Sequence, residues 1–346
     1  MQTADAVIIG GGVIGAAALH ALAARGVQNA VLFEQGRFAT GSTGQSGGFL
    51  RVYHTDPFLT ELAAESFAFF LEHRERVGYR RTGLLYLEAE QQTERMRAEA
   101  ERLGLEFLTA AEGAQRFPAL QWDGVGGAVY EVRGGYADPV RTTRFLIEKA
   151  REWGALACEG TRVQRILTEG GRVTGVETSI GTVHTEHVVL ATGAWTPQFA
   201  QALGLQLPVR SKTIQVHFYK RPGGAALHPA FLDDTTDLYA RPEAGELSLI
   251  GLPVDEWDID PDVPQGVDLA GAQRTAEVAV KRLDWVDEAK LSGGRRSFDA
   301  YTPDMRGIVE PSVDLQGLIL ATGWSGAGFK LAPAIGQRVA KLIAPR

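Results

Sequence analysis

The sequence predicts an α/β protein. It has a discontinuous Rossmann-type dinucleotide-binding domain, with a parallel sheet and a β-meander, and an inserted α+β domain on a mostly antiparallel sheet. Three observations predict it. A strand, a glycine turn, a helix and a second strand open the chain. Two later apolar runs end in Ala191-Thr192-Gly193 and Ala321-Thr322-Gly323 and read as further buried strands. Stretches with antiparallel strand and turn signals lie between them.

The opening unit has a physical job for each part. Ala6–Ile9 is short, apolar and β-branched, as a buried strand is. Gly10-Gly11-Gly12-Val13-Ile14-Gly15 follows and fits G-x-G-x-x-G. Gly10 allows the tight turn, Gly12 lets a pyrophosphate approach, and Gly15 lets helix and strand pack closely. Residues 13–25 read as a helix stopped by Gly26, whose first turn offers free N–H groups to an anion. A second strand, Ala30–Phe33, leads into Glu34, 19 residues after Gly15, where a carboxylate can accept a ribose hydroxyl.

Residues 41–51 are too rich in Gly and Ser for regular structure and read as a phosphate and ring cradle. Asp56 and Pro57 look like the cap and first position of a helix running to about residue 77. A strand is expected over 82–87 and a charged helix over 88–103. Short strands and turns follow over 105–135, and Asp138-Pro139 opens a helix to Trp153. A meander is expected from strands 163–167, 172–177 and 183–191, the last rejoining the parallel sheet. Antiparallel strands are read at 214–219, 238–241 and 247–252, and a helix over 268–283. Residues 293–304 read as irregular, 318–323 as a final buried strand, and 332–343 as the last helix. The natural division assigns 1–82, 136–207 and 295–346 to the dinucleotide domain, and 83–135 and 208–294 to a substrate-binding domain.

Composition narrows the function. With 346 residues, 45% hydrophobic and 22% charged, the chain has ordinary globular usage. A net charge of −7 argues against a nucleic-acid partner, because no basic stripe is available to neutralise phosphates. No apolar run is long enough for a transmembrane helix, and the N-terminus lacks the basic start of a signal peptide. Cys158 is the only cysteine, which excludes intramolecular disulfides and a CxxC centre. No metal site is expected, and a cytoplasmic setting is the default.

The glycine motif with Glu34, the 41–51 loop, Ala191-Thr192-Gly193-Ala194-Trp195, Tyr301-Thr302-Pro303-Asp304 and residues 323–330 together resemble the D-amino-acid oxidase superfamily of flavoproteins, in its sarcosine oxidase and glycine oxidase branch. The resemblance spans nearly the whole chain. It implies FAD and oxidation of a C–N bond in a small amine or amino acid. Hydride passes to flavin N5, and the imine product hydrolyses. The ADP half is expected on Gly10, Gly12, Val13, Ile14 and Gly15, with Glu34 and Gln35 beside the ribose. Val163 would contact adenine through its backbone. The flavin ring is expected near Ser42–Gly48, with Ser42, Thr43, Ser46 and Gly47, and near Gly326, Ala327, Gly328, Phe329 and Lys330; Thr192, Gly193, Trp195 and Gly323 are further expected cofactor contacts.

By the same resemblance Arg51 and Lys330 hold a substrate carboxylate. An arginine fork suits a carboxylate, and a lysine adds a point charge. Tyr239 matches an aromatic that faces the flavin; half-buried strand tyrosines look the same. His54 reads as a structural histidine. Ser297 stands where some sarcosine oxidases carry a flavin-linking cysteine, so noncovalent FAD is expected. A lysine that promotes reaction with oxygen would fall near Leu249; its absence leaves oxidase and dehydrogenase both open, with O2 or another acceptor. Oligomers are possible. The rivals are a flavin-dependent hydroxylase, a nicotinamide-dependent dehydrogenase and a flavin-binding subunit of a larger complex.

Overall fold

The computed structural model describes residues 2–345. A six-stranded sheet runs in the order Leu156–Cys158, Ala30–Phe33, Ala6–Ile9, Val188–Leu190, Leu318–Thr322 and Ile308–Pro311. Its first five strands are parallel and only the last is antiparallel. Strand alternation sends successive side chains to opposite faces. Ala6 and Ile8 therefore join a core with helices Val13–Ala24, Pro57–Glu72, Pro139–Glu152 and Gly328–Ile343. Val7 and Ile9 join a second core under the meander Val163–Glu169, Arg172–Thr178 and Gly181–His184. An eight-stranded, mostly antiparallel sheet holds Leu84–Glu88, Glu106–Thr109, Gly127–Glu131 and the five strands between residues 210 and 301. Its far face packs around Leu85, Phe231, Ala240 and Ile250.

Several expectations need correction. Residues 41–51 are not wholly irregular: Ser42–Gln45 makes one helical turn and Phe49–Leu50 pairs with Tyr136 and Gly135. Gly44 permits this, since a Cβ there would lie 2.2 Å from the Ala39 carbonyl. The expected third meander strand is two strands. Gly181–His184 pairs with the meander and Val188–Leu190 with the parallel sheet. Thr185 turns the chain between them, its Oγ1 bonding the His187 backbone. Ala230–Asp233, a strand parallel to Leu84–Glu88, carried no clear signal. The helix Ala110–Arg116 did carry one, the Thr109/Glu112 capping box.

The largest miss is Lys290–Tyr301. Its glycine pair and mixed charges look irregular, yet it is a 12-residue strand paired along Arg210–Lys220. Tertiary pairing overrides its weak local preference. It also crosses the boundary expected at residue 295. The last helix begins at Gly328, five residues before Pro333, and continues through it. Pro333 supplies no N–H, and the buried Ser66 bonds the backbone on either side of it. Its hydroxyl donates to the Leu331 carbonyl and accepts the Ala334 N–H, both at 3.1 Å.

Candidate active site

A cleft of about 420 Å³ lies along the carboxyl ends of the parallel strands, where open α/β sheets bind ligands. Gly10 has φ +110°, and a Cβ there would meet the Ala191 carbonyl oxygen at 2.4 Å. A Cβ on Gly15 would lie 2.0 Å from the Gly10 oxygen, so Gly15 sits beneath the turn rather than on the cleft wall. Helix Val13–Ala24 starts without a side-chain cap from Gly12, and only Thr43 Oγ1 reaches the Val13 N–H, at 3.1 Å. Glu34 accepts the N–H groups of Gly11 and Gly36, each at 2.7 Å.

The cleft wall contains Gly10, Gly12, Val13, Ile14, Glu34, Gln35, Ser42, Thr43, Ser46, Val163, Thr192, Gly193, Trp195, Gly323, Gly326, Gly328 and Phe329. The sequence-expected Gly47, Ala327, Arg51, Tyr239 and Lys330 lie outside that wall. Sequence reasoning missed Asp299 and Trp324, which line it. Asp299 sat in the segment read as irregular. It accepts the N–H groups of Ala300 and Gly326, at 2.8 and 3.0 Å, and burial pushes its carboxyl up to about 6. The buried Nε1–H of Trp324 has no acceptor among the described residues. These features suit a dinucleotide: a glycine turn with no room for side chains, open helix N–H groups, a carboxylate at the second strand end and an unspent donor. Cys158 pairs beside Phe33, next to Glu34, away from the glycine turn at residues 326–328.

A buried polar cluster adjoins this cleft. Lys330 lies in the first turn of helix Gly328–Ile343 and is 8% exposed. Burial and the nearby Arg51 lower its ammonium to about 7, against the pull of Asp299 and Glu131. Arg51, equally buried, donates from Nη1 to the Tyr53 carbonyl, and its guanidinium carbon lies 4.8 Å from the Tyr86 ring centre. Glu131, 3% exposed, accepts the backbone N–H groups of Val52 and Tyr53 at 2.8 Å each. Arg51 therefore already has internal partners. His54 bonds the Val52 carbonyl through Nδ1, which must then carry the proton, and its buried Nε2 has no partner among the described residues. Burial, then Arg51 and Lys330, keep His54 neutral.

The eight-stranded sheet supplies the facing surface. Register places Tyr86, Leu232, Tyr239, Gly251, Val216 and Arg295 side by side in one row across five strand pairings. Paired residues share a face, so this row shares the face opposite the Leu85 and Phe231 core. Tyr239 lies across Gly251, where a Cβ would approach its ring to 2.3 Å. Its ring meets Phe49 edge-on at 6.0 Å, and burial pushes its hydroxyl up to about 12. On the same face Arg241 donates from Nε to the Gly47 carbonyl at 2.6 Å, tying the sheet to the glycine-rich loop. Leu249 is fully buried and pairs with Arg241. Ser297, 5% exposed, lies on the strand whose next three residues line the cleft.

No group of three or more potential metal ligands occurs among the described residues, and no helix there is long and apolar enough to cross a membrane. The profile of a family described as FAD dependent oxidoreductase matches residues 5–342. The chain is 29% identical to glycine oxidase of Geobacillus kaustophilus, covering 98% of this chain and 92% of that protein. It is 27% identical to 4-methylaminobutanoate oxidase (formaldehyde-forming) of Paenarthrobacter nicotinovorans, covering 97% of this chain and 43% of that one. The chain spans about two fifths of the length of that relative and of the mouse and human sarcosine dehydrogenases. In fold it is similar to the crystal structure of L-proline dehydrogenase from P. horikoshii, with a TM-score of 0.90 at 24% identity over 99% of this chain and 94% of that one.

Proposed function

The chain belongs to the FAD dependent oxidoreductase family, and from that premise we propose that it oxidises the C–N bond of a small amine or amino acid bearing a carboxylate. The relatives are named for oxidation of glycine and 4-methylaminobutanoate, both amines that carry a carboxylate. FAD is proposed to bind noncovalently, held by Gly10–Gly15, Glu34, Gln35, Val163, the 42–47 loop, Thr192, Gly193 and Trp195, and the 323–330 turn. It would supply the hydride acceptor for conversion of the amine to an imine, which water then hydrolyses.

The observation that carries the substrate reading is the buried pair Lys330 and Arg51 beside the cleft, Arg51 lying against Tyr86 of the Tyr239 row. Lys330 meets the carboxylate. Arg51, held by Tyr53 and Tyr86, adds a second positive charge for the carboxylate from behind Lys330. Two cations against a carboxylate fix the α-carbon, which is catalysis by orientation. Tyr239 and Phe49 form an apolar edge that excludes water. The reacting amine must be neutral, so the rate rises with pH toward its bound-state pKa.

The experiment compares a carboxylate substrate with its amide in wild type and Lys330→Met, after anaerobic bleaching of the flavin by an amino-acid panel has identified a substrate. The variant should raise KM for the acid and erase its advantage over the amide. A variant that discriminates as wild type does would place the carboxylate elsewhere. Absence of bleaching by any amine would favour a flavin-binding subunit.

A further inference from the structure

Residues 252–268 leave the eight-stranded sheet to join strand Leu247–Gly251 to helix Leu269–Ala279. Their first half has a firm footing on strand Arg210–Lys220. Leu247–Gly251 flanks that strand only from Val216 onward, and residues 256–259 lie along the vacant edge beside 211–213. The Glu256 carbonyl accepts the Thr213 N–H at 2.9 Å, and the Ser211 carbonyl accepts the Asp258 N–H at 2.8 Å. Ser211 Oγ donates to the Ile259 carbonyl at 2.7 Å. Arg210 holds the Asp258 carboxylate through Nε, at 2.8 Å, and through Nη2. Its guanidinium carbon lies 4.9 Å from the Trp257 ring centre.

Asp260-Pro261-Asp262-Val263 then makes a β-turn. The Val263 N–H reaches the Asp260 carbonyl at 3.2 Å, and the Asp260 carboxylate accepts the Asp262 N–H at 2.9 Å. Asp followed by Pro suits the first two positions of such a turn. The turn presents the Asp262 carboxylate to two side chains that line the cleft from other segments. Trp195, just beyond strand Val188–Leu190, donates its Nε1–H to Asp262 Oδ1 at 2.8 Å. Arg162, just before the first meander strand, brings Nη2 to 4.0 Å from Oδ2. Trp195 is itself a junction. Its ring stands edge-on to Phe298 at 5.0 Å between centres, and a Cβ on Gly41 would lie 3.5 Å from it. The glycine-rich loop, the parallel sheet and the eight-stranded sheet thus meet around one indole, whose single polar atom is fixed by Asp262.

We propose that Asp262 is a positioning residue for the cofactor. By fixing the Trp195 ring, with Arg162 drawn alongside, it holds the cleft wall between Val163 and the glycine-rich loop in place and slows the release of FAD. The inference rests on FAD occupying this cleft and adds a residue from behind its wall. A hydrogen bond to a charged acceptor has the strength for this role. The Arg162 pair, half-exposed on both sides, contributes little. Asp262 therefore acts chiefly through Trp195.

The test follows FAD leaving the diluted holoenzyme, read as the rise in free-flavin fluorescence, and the FAD affinity of the apoprotein by the reverse titration. Asp262→Ala should speed release about fivefold or more and weaken affinity in step, as loss of a hydrogen bond to a charged group requires. Asp262→Asn keeps an oxygen for the Trp195 N–H and should fall between wild type and Asp262→Ala. Trp195→Phe removes the donor while keeping a ring, and should also release FAD faster. The double variant of Asp262→Ala and Trp195→Phe should release it no faster than Trp195→Phe alone, because the two residues act as one unit. A merely structural contact would lower the melting temperature of the Asp262→Ala apoprotein and leave FAD release at the wild-type rate. That result, or effects that multiply in the double variant, overturns the inference while leaving the FAD reading intact. If the protein binds no FAD as purified or on titration, the cofactor reading fails and this role of Asp262 with it.

Discussion

Glu34 Oε2 takes the N–H of Gly11 at 2.7 Å, so the acid at the end of the second strand braces the glycine turn itself. Its other oxygen holds Gly36 at the same distance. A ribose contact would be added to a carboxylate already built into the backbone.

Glu34→Gln should therefore act twice. The amide keeps the size but replaces one acceptor with a donor facing a backbone N–H. A lost hydrogen bond to a charged group costs about 1–3 kcal/mol. FAD affinity should fall by roughly 10- to 100-fold, and the apoprotein should melt lower. Turnover of the variant refilled with FAD should stay close to wild type. Normal FAD affinity with a lowered melting temperature would leave Glu34 a brace alone.

Glu131 anchors the backbone that carries Arg51. Its two oxygens hold the N–H groups of Val52 and Tyr53, and it is the buried carboxylate acting on both Arg51 and Lys330. Glu131→Gln leaves a backbone donor facing an amide and removes a buried counter-charge. Breaking one side of a buried charge cluster costs about 3–5 kcal/mol. Denaturant unfolding of the apoprotein should show a loss of that order. A loss below about 1 kcal/mol would mean that Glu131 contributes no more than a surface pair.

Lys330 gives stability a pH dependence with a definite sign. Its folded value is lowered to about 7 from an ordinary 10.5. Below about 7 the lysine is charged in both states and the full burial penalty applies. As pH rises from about 7 toward 10.5 only the unfolded chain keeps the proton, so the penalty fades and stability rises. Asp299, raised to about 6 from 3.8, has the opposite slope and acts below this window. Lys330→Met should make the apoprotein more stable than wild type at pH 7, with the two melting temperatures converging toward pH 10. A gap that stays constant over that range would place the titration elsewhere.

Noncovalent FAD can be checked by acid precipitation. Cys158 lies beside Glu34, at the proposed adenosine end, and Ser297 stands where the family resemblance puts a flavin-linking cysteine. Yellow colour should appear in the supernatant. Flavin retained in the pellet would require a link through a histidine or tyrosine.

The nucleotide half of the fold was legible because its signals are local. A glycine turn, an apolar strand and an Ala-rich helix declare themselves within a few residues, since steric exclusion at Gly10 and Gly15 acts between near neighbours or across one strand. The same holds for Asp56 and Asp138, whose carboxylates cap helices two or three residues away. Lys290–Tyr301 was not legible. Its strand state depends on pairing with Arg210–Lys220, some 80 residues earlier, and its own glycines and charges argue against it.

The sequence by itself determined the fold class, the dinucleotide turn, and Arg51 and Lys330 as basic residues to watch. Only the tertiary structure decided what those residues face. Burial and the nearby Arg51 lower the Lys330 ammonium toward neutrality against the pull of Asp299 and Glu131, an effect of desolvation and of charges more than 30 residues away in the chain. Sheet register set Tyr86, Tyr239 and Arg295 in one row, and a one-residue slip would have turned them to the opposite face. Pairing and burial are properties of the assembled chain, so the chemistry of the cavity becomes visible only after folding has brought distant segments together.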